Sequence, residues 1–162
     1  MQKKLSGYCR ALTGNGADAH DLMQEAVLQA FENFEKLRSH DSFLFFISAI
    51  ARNICLKSRR RLKFWIDIEK TDADSMPSNI TSAEDDLEVQ LLYRTIAKLP
   101  FNQREALVMF EIMGFSLEEI RQQQGGTLSG VKSRVTRARL SLSKMLIRMP
   151  KPVDFVLKTD MV

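Results

Sequence analysis

With 162 residues, 44% of them apolar, the chain can bury one core or two small ones, which excludes a disordered tail. Seven Gly and four Pro leave room for long helices, while two cysteines without metal-ligand spacing exclude a disulfide scaffold and point to a reducing compartment. A net charge of +4 hides segregation: residues 57–63 carry five cations, residues 128–148 carry six and no acid, and residues 67–88 carry eight acids and one Lys, a pattern that concerns partners.

The first clear helical period begins near Ala17. Asn15-Gly16 is a turn signal, and Asp18 and Asp21 suit a first turn by opposing the helix dipole. Met23, Val27, Ala30, Phe31 and Phe34 recur at three- and four-residue steps and predict one apolar face. Residues 34–42 break the period and read as a short polar loop. A second helix is expected over about residues 43–63, with Phe46, Ile47, Ile50 and Ile54 as its seam and the basic run at its end. Residues 70–87 hold Pro77, three Ser, two Thr and many acids with no sustained period, and read as a linker.

The last third is punctuated more sharply. Val89, Leu92, Tyr93, Ile96 and Leu99 predict a helix that Pro100 stops. Asn102 to Glu105 fits a capping box, flanked by Phe101 and Ala106 as a staple. Gly114 is the expected left-handed cap of that helix. A second box, Ser116 to Glu119 with the staple Phe115 and Ile120, opens a short helix that runs to a Gly125-Gly126 turn. Thr127 caps a final helix reaching about residue 149, with Val131, Val135, Ala138, Leu142 and Met145 as its seam. No strand pattern appears, so the fold class is all-α, as two small helical domains joined by an acidic linker.

A short helix, a glycine turn and a longer helix with basic outer residues is helix-turn-helix anatomy. Ser129, Lys132, Ser133, Thr136 and Arg137 point away from the seam and could serve base edges or phosphates. Arg134, Arg139 and Lys144 suit phosphate. A solvated basic face is the bland alternative. His20 and His40 have no partners arranged for a metal or a catalytic triad, and no phosphate-binding glycine loop exists, so no enzyme and no cofactor is expected. The longest apolar stretch, near residues 43–51, is far short of the roughly 20 residues a membrane span needs, and no signal-type apolar core follows Met1–Lys4. The expectation is a cytoplasmic protein without membrane insertion.

Residues 118–139, Glu-Glu-Ile-Arg-Gln-Gln-Gln-Gly-Gly-Thr-Leu-Ser-Gly-Val-Lys-Ser-Arg-Val-Thr-Arg-Ala-Arg, resemble region four of bacterial sigma factors of the extracytoplasmic-function type. Leu99-Pro100 and Arg104 fit the same pattern. Residues 12–25, Leu-Thr-Gly-Asn-Gly-Ala-Asp-Ala-His-Asp-Leu-Met-Gln-Glu, resemble the start of region two, continued by Ser42-Phe43, by Ile50-Ala-Arg-Asn53 and by Arg59–Arg61. The resemblance covers about residues 5–66 and 87–147. It departs at Phe46, where the family has Trp, and at Arg121, Gln124 and Gly130, where it has small, apolar and Thr residues. It also implies a further helical segment before Gln2.

The resemblance implies core RNA polymerase and promoter DNA as partners, with room for an anti-sigma factor, and a role in transcription initiation and its regulation. It implies that Asp21, Gln24 and Glu25 grip the polymerase, where charge guides register. Residues 38–42 and the start of the next helix would read the minus-ten element, whose unstacked base needs a pocket with polar edges. Asn53 would supply the polar contact, with Leu37, Ile50 and Ala51 as walls and Arg38 and His40 nearby. Lys57, Arg59, Arg60 and Arg61 would hold phosphates, and Trp65 could stack on a base. Ser129, Lys132, Ser133, Arg134, Thr136 and Arg137 would meet the minus-thirty-five duplex.

The implied domains are 1–69 and 87–149, with an acidic linker over 70–86 and a tail over 150–162. Extended, the linker spans roughly 60 Å, enough for two elements about 50 Å apart. Relaxed, it spans only about 23 Å, which permits a closed free form. An autonomous helix-turn-helix regulator, or a sigma-like protein that no longer reads DNA, are the competing readings.

Overall fold

The computed structural model describes residues 1–69 and 87–148, with side chains to residue 64 in the first segment. Trp65's indole, the linker and the tail therefore lie outside the described residues. Among the described residues the chain is helical throughout: α1 (Gln2–Thr13), α2 (Gly16–Glu32), 3-10 turns at Phe34–Lys36 and His40–Ser42, α3 (Phe43–Glu69), α4 (Leu87–Ala97), α5 (Phe101–Glu111), α6 (Leu117–Gln124) and α7 (Leu128–Ile147). Helices α1, α2 and α3 pack on one another, and α7 closes α4, α5 and α6 into a second unit. The two units are joined, because α1 also packs on α4 and α5.

Helix α1 was not anticipated. Its sequence has no long apolar period; it buries Leu5, Tyr8 and Leu12 together with the small Gly7, Cys9 and Ala11. Small residues let neighbouring backbones approach closely. A Cβ at Gly7 would fall 2.7 Å from the Tyr93 hydroxyl of α4. Gly14, at φ 84°, then ends α1, and Asn15 caps α2 by accepting from the Asp18 amide at 2.8 Å.

The expected face of α2 is corrected. The buried stripe is Ala19, Leu22, Ala26 and Ala30, whereas Val27, Phe31 and Phe34 are exposed. Helix α2 is apolar on two sides, and the side with small residues is the one that fits against α1 and α3. Periodicity finds apolar stripes; it does not say which of two faces the core. The region read as loop over 34–42 winds into two 3-10 turns, the second capped by the Ser39 hydroxyl. Helix α3 runs further than expected, to Glu69.

In the second unit α5 ends earlier than expected, at Glu111 with Ile112 as its C-cap, although Gly114 does take the left-handed backbone expected of it (φ 76°). The caps behave as read at Ser116–Glu119, where the reciprocal box forms, and at Thr127, whose hydroxyl accepts from the Gly130 amide at 3.0 Å. The Asn102–Glu105 box does not form. Pro100 is the N-cap instead, its carbonyl accepting from the Arg104 amide at 2.9 Å. The helix thus begins before Asn102, which leaves the Glu105 carboxylate free to turn inward. Helix α7 ends at Ile147, slightly earlier than expected, with Val131, Val135, Ala138 and Leu142 buried as read.

Burial also sets the alkaline limit of stability. It pushes the Cys9 thiol from 9.0 up to about 12. Burial, then the Glu105 carboxylate, raises the Tyr8 phenol as well. Both groups stay neutral in the fold at a pH where the unfolded chain has begun to ionise, so stability falls as pH rises above about 9. The urea unfolding midpoint is expected to drop steadily between about pH 9 and 11, and Cys9→Ala should flatten part of that drop. An unchanged pH profile in that variant would contradict the assignment.

Candidate nucleic-acid interface

Helix α3 is a post with three working sides, as follows from about 100° of turn per residue. Ile47, Ala51 and Ile54 face the core formed with α1 and α2. Phe45, Ser48, Arg52, Cys55 and Arg59 share a second side, turned to the other unit: Gln123 Nε2 donates to the Phe45 carbonyl and the Ser48 hydroxyl, each at 2.9 Å. The Phe45 ring meets Phe115 edge-on at 5.7 Å, and the Arg59 guanidinium lies 4.3 Å from the Phe101 ring centroid. Phe46, Ile50, Asn53, Lys57 and Arg60 occupy the third side, opposite the second. Asn53, Lys57 and Arg60 are exposed there, and Ile50 and Phe46 are half-buried between them.

This third side assembles four of the eight residues expected to meet a single strand: the Asn53 amide, the cations Lys57 and Arg60, and Ile50, which like Phe46 packs partly against the core. Ala51 does not belong to it. It is sealed in the core and offers no atom to a base, because it lies one residue of turn away from Ile50. Leu37 is half-buried and Arg38 and His40 are exposed in the preceding turn segment, where the His40 ring sits edge-on to Phe34 at 6.2 Å.

Asp21, Gln24 and Glu25 are exposed on α2. Gln24 approaches His20 at 3.0 Å, and Gln29 donates to Glu25 at 3.3 Å. Gln24 lines a shallow depression with Met23, Val27, Leu28 and Phe31, in which Phe31 is 79% exposed. Sequence reasoning misses this patch because its period assigns Met23, Val27 and Phe31 to the apolar face. Asp21 and Glu25 instead line a groove shared with Ser58, Arg59 and Leu62 of α3.

The helix-turn-helix is built as its sequence implied. Helix α6 ends at a turn in which both Gly125 (φ 78°) and Gly126 (φ 87°) take left-handed backbone that other residues rarely adopt. Lys132, Ser133, Thr136 and Arg137 are exposed on one side of α7, and Ser129 is exposed at its first turn. The Thr136 hydroxyl donates back to the Lys132 carbonyl at 2.9 Å. Two cations behave otherwise. The Arg134 guanidinium folds over the glycine turn and donates to Gln124 Oε1 at 2.8 Å, so close that a Cβ at Gly126 would lie 2.9 Å from it. Arg139, expected at phosphate, donates through Nε to Glu111 Oε1 at 2.6 Å, and its side chain is only 13% exposed. It braces α7 against α5. Gln124, where the resemblance has an apolar residue, works as a polar strut: its amide also donates to Glu105 Oε2 at 2.7 Å and to the Asn102 carbonyl at 3.1 Å.

Comparison with known proteins gives the same division. Residues 1–64 match the family model Sigma-70 region 2, and residues 89–142 match Sigma-70, region 4. The chain is 30% identical to the ECF RNA polymerase sigma factor EcfG of Rhodopseudomonas palustris, over 88% of this chain and 78% of that protein. It is 29% identical to the ECF RNA polymerase sigma factor SigW of Bacillus subtilis, over 88% and 83% respectively. Among solved structures, the sigma factor RpoE of Bartonella quintana, in complex with the anti-sigma factor NepR, superposes with a TM-score of 0.78 at 22% identity, covering 89% of this chain and 90% of that one.

Proposed function

The chain belongs to the ECF RNA polymerase sigma factors, which direct RNA polymerase to promoters and initiate transcription there, and we propose that it divides this work among three surfaces. The third side of α3, with Asn53, Ile50, Lys57 and Arg60, takes the unstacked strand of the minus-ten element together with Leu37, Arg38 and His40. The outer side of α7, with Ser129, Lys132, Ser133, Thr136 and Arg137, sits in the minus-thirty-five major groove. Arg134 reaches DNA only after leaving Gln124. The exposed side of α2, with Asp21, Gln24 and Glu25, docks on the polymerase, and the apolar Val27, Leu28 and Phe31 extend that surface, since exposed apolar patches mark protein contacts.

The observation that carries this reading is the exposure of Asn53, Lys57 and Arg60 on one side of α3, turned away from the side that meets the other unit, with Ile50 packed partly against the core beside them. Residues 1–69 and 87–149 act as the two units, with 70–86 as the tether. The protein works in the cytoplasm with polymerase and chromosome and catalyses nothing by itself; no described helix is long and apolar enough to cross a membrane. An anti-sigma factor is a further partner, as one accompanies the Bartonella relative.

The test is to combine the protein with core polymerase and genomic DNA and map transcription starts. A defined set of new starts sharing two spaced elements is expected. Failure to associate with polymerase would remove the proposal.

A further inference from the structure

The contact between the two units sets a buried charge inside an apolar seam, in which residues of both units share one hydrophobic cluster. Glu105, on α5, is 0% exposed. Its Oε1 accepts from the Tyr8 hydroxyl of α1 at 2.9 Å, across 97 residues of sequence. The same oxygen lies 2.8 Å from Nε of Arg52 on α3, at an angle outside hydrogen-bond geometry. Its Oε2 is held within its own unit by Gln124. Beside this cluster, Arg104 is buried with Nε unpartnered. Its guanidinium shares the Phe101 ring with Arg59, at 5.5 and 4.3 Å from the centroid, so two like charges face each other across the contact. On one flank the seam stays open as a groove of about 550 Å³ between residues 39–45 and α6.

These features suit a contact that must hold and then let go. A buried ion pair contributes little net adhesion compared with apolar packing of the same volume, but removing one partner leaves the other stranded at high cost. It therefore fixes one arrangement sharply, while the apolar cluster around it supplies the adhesion. The facing arginines and the open groove limit that adhesion.

We propose that Glu105 is a reversible latch, which closes the two helical units on each other by inserting its carboxylate between Tyr8 and Arg52. The closed form leaves both reading surfaces exposed but fixes their relative placement. Opening releases Arg52 from the α3 side that lies opposite the strand-reading stripe. It also frees one end of a polar chain that runs from Arg52 through Glu105 and Gln124 to Arg134 on the reading helix. Closure thereby ties the α3 unit to the α7 cation nearest the glycine turn. This inference concerns the free protein and stands apart from the assignment of DNA contacts.

The test uses the full chain alone, by small-angle scattering with circular dichroism as a check on the helices. Glu105→Gln keeps size and Arg52→Gln shortens the side chain, and each loses the charge pair; Tyr8→Phe removes only the hydroxyl. The ratio of open to closed molecules is expected to rise on the order of a hundredfold for the first two and less for the third. Once open molecules dominate, the radius of gyration should grow by about 5 Å, as when one compact body becomes two tethered ones. The double variant Arg52→Gln/Glu105→Gln should open no further than either single one. Overturning results are wild-type dimensions in all variants, additive opening in the double variant, or loss of helix in place of expansion. The last would make Glu105 a core residue and not a latch. Tyr8→Phe, the mildest change, keeps the test decisive if the charged variants fold poorly.

Discussion

Lys132→Ala combined with Arg137→Ala should cut promoter-dependent initiation on the order of a hundredfold while leaving affinity for core polymerase unchanged. Both side chains project from the exposed side of α7, and neither has a hydrogen bond or ion pair among the described residues. Each good donor to a guanine edge or phosphate contributes about 1–3 kcal/mol, and the free side chains contribute little to the fold. The binding slope against salt should also become shallower by about one for each lost phosphate contact. Run-off transcription on a mapped promoter, beside a polymerase pull-down, checks both halves. Equal loss of the two activities would mean that α7 does not work separately from α2.

Leu142→Ala is expected to cost about 2–5 kcal/mol of stability, as large-to-small changes do in closed cores. Leu142 is 0% exposed on the helix that binds α4 and α5 together, so no solvent or loose loop can collapse into the space left behind. Domains hold only about 5–15 kcal/mol in total, so the second unit should be largely unfolded at modest urea concentrations. Lys144→Ala, two residues on and exposed, should stay within about 0.5 kcal/mol of the wild type. Urea titration followed by circular dichroism distinguishes them. Similar midpoints would contradict the packing of α7.

The second unit was more legible than the first because its signals are local. A capping box, two adjacent glycines and a threonine before an apolar period each act within one turn of chain, and the structure has all of them. The false box at Asn102 has a local cause too, since Pro100 starts the helix earlier. The first unit depends on choices that no window contains. Helix α1 packs through Gly7, Cys9 and Ala11, residues without an apolar signature of their own. Helix α2 offers two apolar sides, and only its neighbours decide between Ala26 and Phe31. The reading surfaces were legible as residue types through resemblance. That Ala51 is sealed while Asn53 is open, and that Arg134 and Arg139 are already engaged, follows from helix phase and from partners 10 and 28 residues away. The Glu105 cluster was invisible, since Tyr8 lies 97 positions earlier.

The three-sided use of α3 makes that helix intolerant of any change in length. Deleting one residue just after Ile47 would rotate everything beyond it by about 100°. Asn53, Lys57 and Arg60 would swing toward positions held by Arg52, Cys55 and Arg59, and those in turn toward the hydrocarbon interior. Folding, closure and promoter recognition would fail together from a single codon, whereas a point substitution on one side can disturb one of them alone.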